Sequence, residues 1–207
     1  MPFPMMCRTG LPASTAVLAL LATLLPTGAS AQMPDNRDVQ VAEAVLAGPA
    51  AFRDEATVHG WTSTGASVTL RQGTNDLVCI SDNPTQNGWS TACYPTSIEP
   101  YMVRGRELSA RGITDSAERL RIRWEEADAG TLPMPEDPAT VYILAGDGFD
   151  ARAGAVVNPF LRWAIYIPWA TSESTGLSPI PLTEGAPWIM FPGTAGAHIM
   201  VTPPAPR

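Results

Sequence analysis

The sequence predicts an α+β fold: a largely antiparallel sheet of short strands with one N-terminal helix and two central helices, in a single domain. Three observations lead to this prediction. Short β-branched segments separated by turn signals fill residues 57–94, two segments with helical spacing fill residues 97–130, and strand-like segments return from residue 140 onward. Strands, then helices, then strands again are typical of α+β proteins. Short connections favour antiparallel pairing, since parallel strands need long crossovers.

Residues 1–31 have the pattern of a cleavable secretory signal. Arg8 is their one charged residue, and it precedes an apolar stretch at residues 16–25. That stretch, about 10 residues long, is too short to span the roughly 30 Å of a bilayer core as a helix. Ala29-Ser30-Ala31 then supplies the small-x-small pattern that signal peptidases accept. We therefore expect a periplasmic or extracellular protein that begins near Gln32 and has no membrane span after cleavage.

The N-terminal helix and the first four strands come next. Val41, Ala44 and Val45 share one side of a helix predicted over residues 38–47, which a Gly-Pro pair ends. β-branched residues between Gly and Asn-Asp turns then predict strands at residues 57–61, 67–71, 77–80 and 89–94.

Two cysteines follow the signal, Cys79 and Cys93, and an even pair in an oxidising compartment is typically a disulfide. The turn-rich segment 82–88 lies between two predicted strands, so a hairpin there places the cysteines opposite each other. Closing this loop stabilises the chain by about 3 kcal/mol in the chain-entropy description. The alternative, redox-active or metal-binding thiols, is disfavoured because neither cysteine belongs to a C-x-x-C pair.

Two helices are predicted in the middle of the chain. The first covers residues 97–111, and the second begins near Thr114 or Ser116 and ends before Gly130, because apolar residues recur at helical spacing in both. Four further strands are expected at residues 140–144, 161–167, 188–191 and 198–201. Residues 32–202 thus make one domain, and residues 203–207 form a Pro-rich tail.

Composition excludes several classes of function. All 13 basic residues are Arg, and the absence of Lys excludes Schiff-base chemistry, a Ser-Lys dyad and a phosphate-loop lysine. The formal net charge of −7 disfavours nucleic acid and anionic lipid as partners. The all-Arg usage and the absence of an Asn-x-Ser/Thr glycosylation site fit a bacterial exported protein.

Six arginines fall within the two central helices: Arg104, Arg106, Arg111, Arg119, Arg121 and Arg123. One interpretation is a site for a carboxylate or phosphate anion. The other is two solvated helix faces. We favour the second, because Glu107 and Arg111, like Arg121 and Glu125, are four residues apart and can pair on a helix surface.

His59 and His198 are the only histidines, so imidazole chemistry depends on one of them. A hydrolase that uses His198 or a pair of carboxylates is the alternative hypothesis for function, although no Gly-x-Ser-x-Gly motif marks a nucleophile. His198 and Met200 share one face of a predicted strand, where imidazole and thioether could bind copper. Because two ligands do not complete a site and Met is common in cores, we favour core packing and expect no metal and no cofactor.

Trp89 and Trp169 lie at the ends of predicted strands. Exposed aromatic side chains at such positions suit the recognition of a sugar, a peptide or a protein surface. The leading hypothesis is therefore a non-enzymatic binding domain whose partner is a small molecule, a glycan or an envelope protein. Trp89, Trp169 and His198 are its candidate binding residues.

Overall fold

A computed structural model of the chain describes Met1 and residues 36–204. The predicted signal peptide, its cleavage point near Gln32 and the last part of the predicted tail (205–207) lie outside the described residues. Residues 36–204 belong to one unit, Ala31–Arg207. Within them, no helix combines the length and the apolar character needed to cross a bilayer.

The described residues form one eight-stranded sheet and a separate two-stranded hairpin. The strands are β1 (Thr57–Trp61), β2 (Ser67–Arg71), β3 (Leu77–Ile80), β4 (Trp89–Pro95), β5 (Ala139–Gly146), β6 (Gly148–Asp150), β7 (Ala155–Val157), β8 (Phe160–Tyr166), β9 (Trp188–Met190) and β10 (His198–Val201). The sheet order is β2-β1-β3-β4-β5-β8-β10-β9, and β6 pairs with β7. The helices are α1 (Arg37–Ala44), α2 (Glu99–Ala110), α3 (Ser116–Asp128) and α4 (Ser172–Thr175), with 3-10 turns at Val45–Ala47, Ala50–Phe52 and Thr96–Ile98.

The predicted α+β class is confirmed. Among the paired strands of the described chain, all pairs are antiparallel except β1 with β3. These two are parallel because β2 reverses the chain along one edge of β1, and the chain then returns to the opposite edge. β2 itself thus provides the crossover that a parallel pair needs.

The helices and strands that the sequence predicts are present, with ends that shift by a few residues. β9 ends at Met190, before the predicted end at residue 191, because Phe191 has a left-handed φ of 54°. Strands β6 and β7 and helix α4 are absent from the predicted elements. They contain only three or four residues each, too few for a hydrophobic period to show.

The sheet has a separate buried core on each face. Successive side chains of a strand point to opposite faces, so Val78 and Cys79 of β3 belong to different cores. The core beneath α1 contains Ala44, Ala47, Ala56, Val58, Val68, Leu70, Leu77, Cys79, Cys93 and Leu144. The core beneath α2 and α3 contains Val78, Tyr94, Ile98, Tyr101, Ala127, Leu132, Ala139, Val141, Ala164, Ala195 and Met200.

The predicted disulfide between Cys79 and Cys93 is confirmed. The two cysteines are directly opposite each other in the β3–β4 pair, and both are fully buried in the core beneath α1. Gly48, just after the first 3-10 turn, packs on this pair: a Cβ at that position would lie 3.1 Å from the Cys93 sulfur. The bond therefore ties the centre of the sheet beneath the N-terminal helical segment.

Candidate functional site

A cleft lies on the α2 side of the sheet, next to the edge strand β2. Its outer part, an open cavity of about 1060 Å³, is lined by β1, β2, α2, residues of the β3–β4 loop, and Thr114 and Arg119. Its inner part, of about 320 Å³, includes the apolar side chains Ile80, Ala92, Val141 and Ile143. Six residues line both parts, and we call them the junction: Trp61, Asn83, Gln86, Arg106, Ser109 and Arg119.

Small residues on α2 keep the cleft open. Gly105 and Ser109 line the inner part, and Ala110 lines the outer part. Helix α2 cannot pack closer to the sheet and fill this space, because Tyr101 and Leu108 already hold it in the core. These side chains are 1 % and 2 % exposed. The cleft is therefore a consequence of where large and small side chains alternate along α2.

Trp61, at the end of β1, is held in one orientation. Its backbone N–H donates to Gln40 Oε1 (2.8 Å), and its carbonyl accepts from Gln40 Nε2 (2.9 Å). Its indole Nε1 donates to the Ser81 carbonyl at 3.0 Å, and Ser81 Oγ in turn donates to Gln40 Oε1 at 2.8 Å. A tryptophan fixed in this way offers a rigid aromatic surface at the junction.

A hydrogen-bonded cluster forms one wall of the outer part. Glu99 Oε1 lies 3.2 Å from His59 Nε2 and 2.6 Å from Arg106 Nη2. Arg106 Nη1 donates to Tyr94 Oη at 2.8 Å. On the other side of the imidazole, Thr69 Oγ1 lies 3.2 Å from His59 Nδ1. Strands β1, β2 and β4 and the first turn of α2 thus each contribute to one network.

The carboxylate of Glu99 is the acceptor at the centre of this network. Burial raises its pKa, but the hydrogen bond from His59 and the charge of Arg106 outweigh that effect, so the pKa lies below its ordinary value. An ionised carboxylate only accepts hydrogen bonds, so His59 Nε2–H donates to Glu99 Oε1. Glu99 Oε2 is buried and has no hydrogen-bond partner within the described part of the chain.

Four of the six arginines of the central helices fall into two groups. Arg104 binds Glu126, with Nε at 2.7 Å, and Arg121 binds Glu118, with Nη2 at 2.7 Å from Oε1. Arg121 also pairs with Glu125, as the favoured interpretation expects, whereas Glu107 pairs with Arg104 instead of the expected Arg111. Arg106 and Arg119 instead line the cleft.

The two tryptophans proposed for binding do not line the cleft. Trp89 is half-buried, and its Nε1 donates to Glu43 Oε2 at 3.3 Å. Trp169 is 47 % exposed and has a left-handed φ of 60°. Its Nε1 donates to Asp128 Oδ1 at 2.8 Å. It borders a separate cavity of about 480 Å³ lined largely by proline and other apolar residues.

His198 is enclosed in the core beneath α2 and α3. Its ring stacks on Tyr166 with centroids 4.8 Å apart, meets Phe191 edge-on, and directs Nδ1 at the Gly196 carbonyl (2.8 Å). Burial lowers the pKa of His198, and the Gly196 carbonyl partly offsets this. Among the described residues it has no hydrogen bond to a hydroxyl or carboxylate. Met200 is 7 % exposed in the same core, and copper binding by this pair stays the disfavoured alternative.

The sequence shows His59 as one of two histidines but does not indicate which residues it contacts. Glu99 and Arg106 lie at least 40 residues from it along the chain, so no local motif joins them. In the described residues, no group of three or more His, Cys, Asp or Glu side chains could hold a metal ion.

Comparisons of the chain with known protein families, with curated proteins and with solved structures find no match.

Proposed function

We propose that this chain is an exported bacterial binding domain, periplasmic or secreted, that holds a small polyhydroxylated ligand in the cleft without catalysing a reaction. The observation that carries the proposal is the cleft itself, in which a fixed tryptophan and convergent polar groups border an apolar patch. Ligand sites typically have volumes of about 300–1,000 Å³ and combine apolar walls with a few placed polar groups. The buried disulfide is compatible with an oxidising compartment.

The residues of the cleft indicate the kind of ligand. Its wall is rich in uncharged hydroxyl and amide groups: Thr64, Ser67, Thr69, Asn83, Thr85, Gln86, Ser109 and Thr114. Such groups both donate and accept hydrogen bonds, as sugar hydroxyls do. Trp61 adds an amphipathic aromatic surface of the kind that suits a sugar ring. A short glycan or a related small molecule therefore fits the cleft better than a protein surface does.

Blocking the cleft tests the proposal. Ser109 is exposed and lines both parts, so Ser109→Trp fills the junction without disturbing a buried contact. Ser97 is also exposed but lies outside the cleft, which makes Ser97→Trp the matched control. Calorimetric titration with a panel of oligosaccharides should show binding that Ser109→Trp weakens at least tenfold and Ser97→Trp leaves unchanged. Equal affinities for the two variants would contradict the proposal.

A second candidate function is hydrolysis, and the series Thr69–His59–Glu99 favours it. In this order a hydroxyl, a base and a carboxylate that orients the base are hydrogen-bonded, as in nucleophile–base–orienter arrangements. His59 would take the Thr69 proton as Oγ1 adds to an ester carbonyl, and return it to the leaving alcohol. Water then hydrolyses the acyl group. Turnover of nitrophenyl esters that His59→Gln abolishes would support hydrolysis, and turnover equal to buffer would support binding alone.

A further inference from the structure

Arg119 is oriented at the junction by the backbone. Its Nη1 donates to the carbonyl oxygens of Ile113 (2.8 Å) and Thr114 (2.7 Å), in the loop between α2 and α3. Within residues 36–204, these are the hydrogen bonds that its guanidinium makes. The edge formed by Nε and Nη2 is left without a partner there. A guanidinium edge of this kind presents two parallel N–H groups, which match the two oxygens of a carboxylate.

Within residues 36–204, Arg119 also forms no ion pair with a carboxylate. At the junction, the charge of Arg106 is balanced by Glu99 at 2.6 Å. Glu107 lines the outer part, but it pairs with Arg104 at 3.0 Å. Asp82 lines the inner part and accepts from the Ser90 amide at 2.9 Å, and burial raises its pKa.

In a chain of net charge −7, an arginine that is oriented by backbone carbonyls and forms no ion pair within residues 36–204 favours an anionic ligand group at the junction. We propose that the ligand is an acidic glycan and that the carboxylate of a uronic acid unit binds the Nε–Nη2 edge of Arg119. The inference rests on the proposed binding function and specifies its substrate class. Neighbouring sugar hydroxyls then contact Ser109, Asn83 and Gln86, which line the same junction.

Two arginines of the same helix allow a matched test. Arg119→Gln removes the guanidinium at the junction and, with it, the Nε–Nη2 edge. Arg121→Gln removes the same charge two residues further on, at an exposed site paired with Glu118 and Glu125. The control therefore keeps the net charge of the two variants equal. Arg119→Lys retains the charge but not the two-pronged geometry.

The protein recovered after expression of the full chain is titrated with uronic acid oligosaccharides and with their neutral hexose counterparts. We expect the acidic sugars to bind at least tenfold more tightly than the neutral ones. Arg119→Gln should reduce this preference to less than twofold, Arg119→Lys should leave an intermediate preference, and Arg121→Gln should leave it intact. Thermal melts of each variant establish that the fold is retained.

The outcomes separate the two proposals. If acidic and neutral sugars bind equally and Ser109→Trp weakens both, the acidic-glycan inference is wrong and the binding function stands. If Arg119→Gln and Arg121→Gln reduce binding equally, the effect is one of overall charge and the site at Arg119 is refuted. If no sugar binds, or if Ser109→Trp leaves the affinity for every sugar unchanged, both proposals fail.

Discussion

On the face of the sheet that α2 and α3 cover, the two ends differ in how tightly their histidines are packed. At the β10 end, Tyr166 and Phe191 pack around His198 and leave it 7 % exposed. At the β1 end, short side chains leave a cleft beside His59. The sheet and the helices are the same at both ends. Side-chain volume, rather than the fold, therefore decides which of the two histidines has a cleft beside it.

The largest change in the free energy of unfolding is expected from the disulfide, which joins β3 and β4 at the centre of the sheet. Replacing Cys79 and Cys93 together by Ala should lower the free energy of unfolding by about 3 kcal/mol, because the unfolded chain gains loop entropy. Denaturant titration measures the change. The reduced wild-type protein is the control and should lose a similar amount. A loss below about 1 kcal/mol would show that the bond adds little to the sheet.

A pH-dependent effect of similar size is expected at Glu43, beneath the other face. Burial raises its pKa to about 7, the hydrogen bond from Trp89 lowers it, and Asp82 raises it. Because the folded pKa exceeds the unfolded one, the folded state binds more protons, and stability falls as pH rises from about 4.5 to about 7.

Glu43→Gln should remove this dependence. The variant should gain up to about 3 kcal/mol over the wild type at pH 8 and nothing at pH 4. Parallel unfolding curves at the two pH values provide the measurement. Glu99 remains in both proteins and does not perturb Glu43, so its titration cancels in the difference. An equal difference at both pH values would contradict the raised pKa of Glu43.

A pair of Gly→Ala variants compares the packing of the two ends. A Cβ on Gly196, at the closed end, would lie 2.3 Å from Trp124 Nε1, so Gly196→Ala should cost about 1–3 kcal/mol. A Cβ on Gly105, at the open end, would lie 3.1 Å from Arg123 Nη1, the end of a flexible side chain. Gly105→Ala should therefore be neutral or gain up to about 1 kcal/mol from helix propensity. Thermal melts that rank the variants in the reverse order would show that the two ends are wrongly assigned.

The smallest effect is expected at Trp169, which the sequence marks as a candidate binding residue. Its side chain is 47 % exposed and lies outside the cleft. Trp169→Ala should change the unfolding free energy by less than about 1 kcal/mol and leave sugar affinity unchanged. The same titration as for Ser109→Trp is the check. A tenfold loss of affinity would move the binding site to Trp169.

The local features of this structure can be predicted from the sequence. Alternation and turn residues predict β1 to β4, and the spacing of Cys79 and Cys93 predicts their pairing across a hairpin. The parallel contact of β1 with β3 depends on which edge the chain returns to, and no periodicity records that choice. Strands as short as β6 and β7 give no periodic signal at all.

The cleft is harder to predict than the fold. Histidine and tryptophan are natural candidates for binding residues in a sequence, but His198 is buried in the core and Trp169 lies outside the cleft. Arg119 resembles its neighbours on α3 until the structure shows that it faces the junction while Arg121 pairs with acids. Its role depends on contacts between α2 and α3 that the helical spacing alone does not specify.

The most direct test of the central claim is to map the amides that respond to ligand by NMR, with the oligosaccharide that binds most tightly. If the ligand occupies the cleft, the largest shift changes should fall at residues 59–69, 83–86 and 105–110, and at Arg119. Shift changes centred instead on Trp169 and the residues around His198, with the cleft unaffected, would contradict the claim.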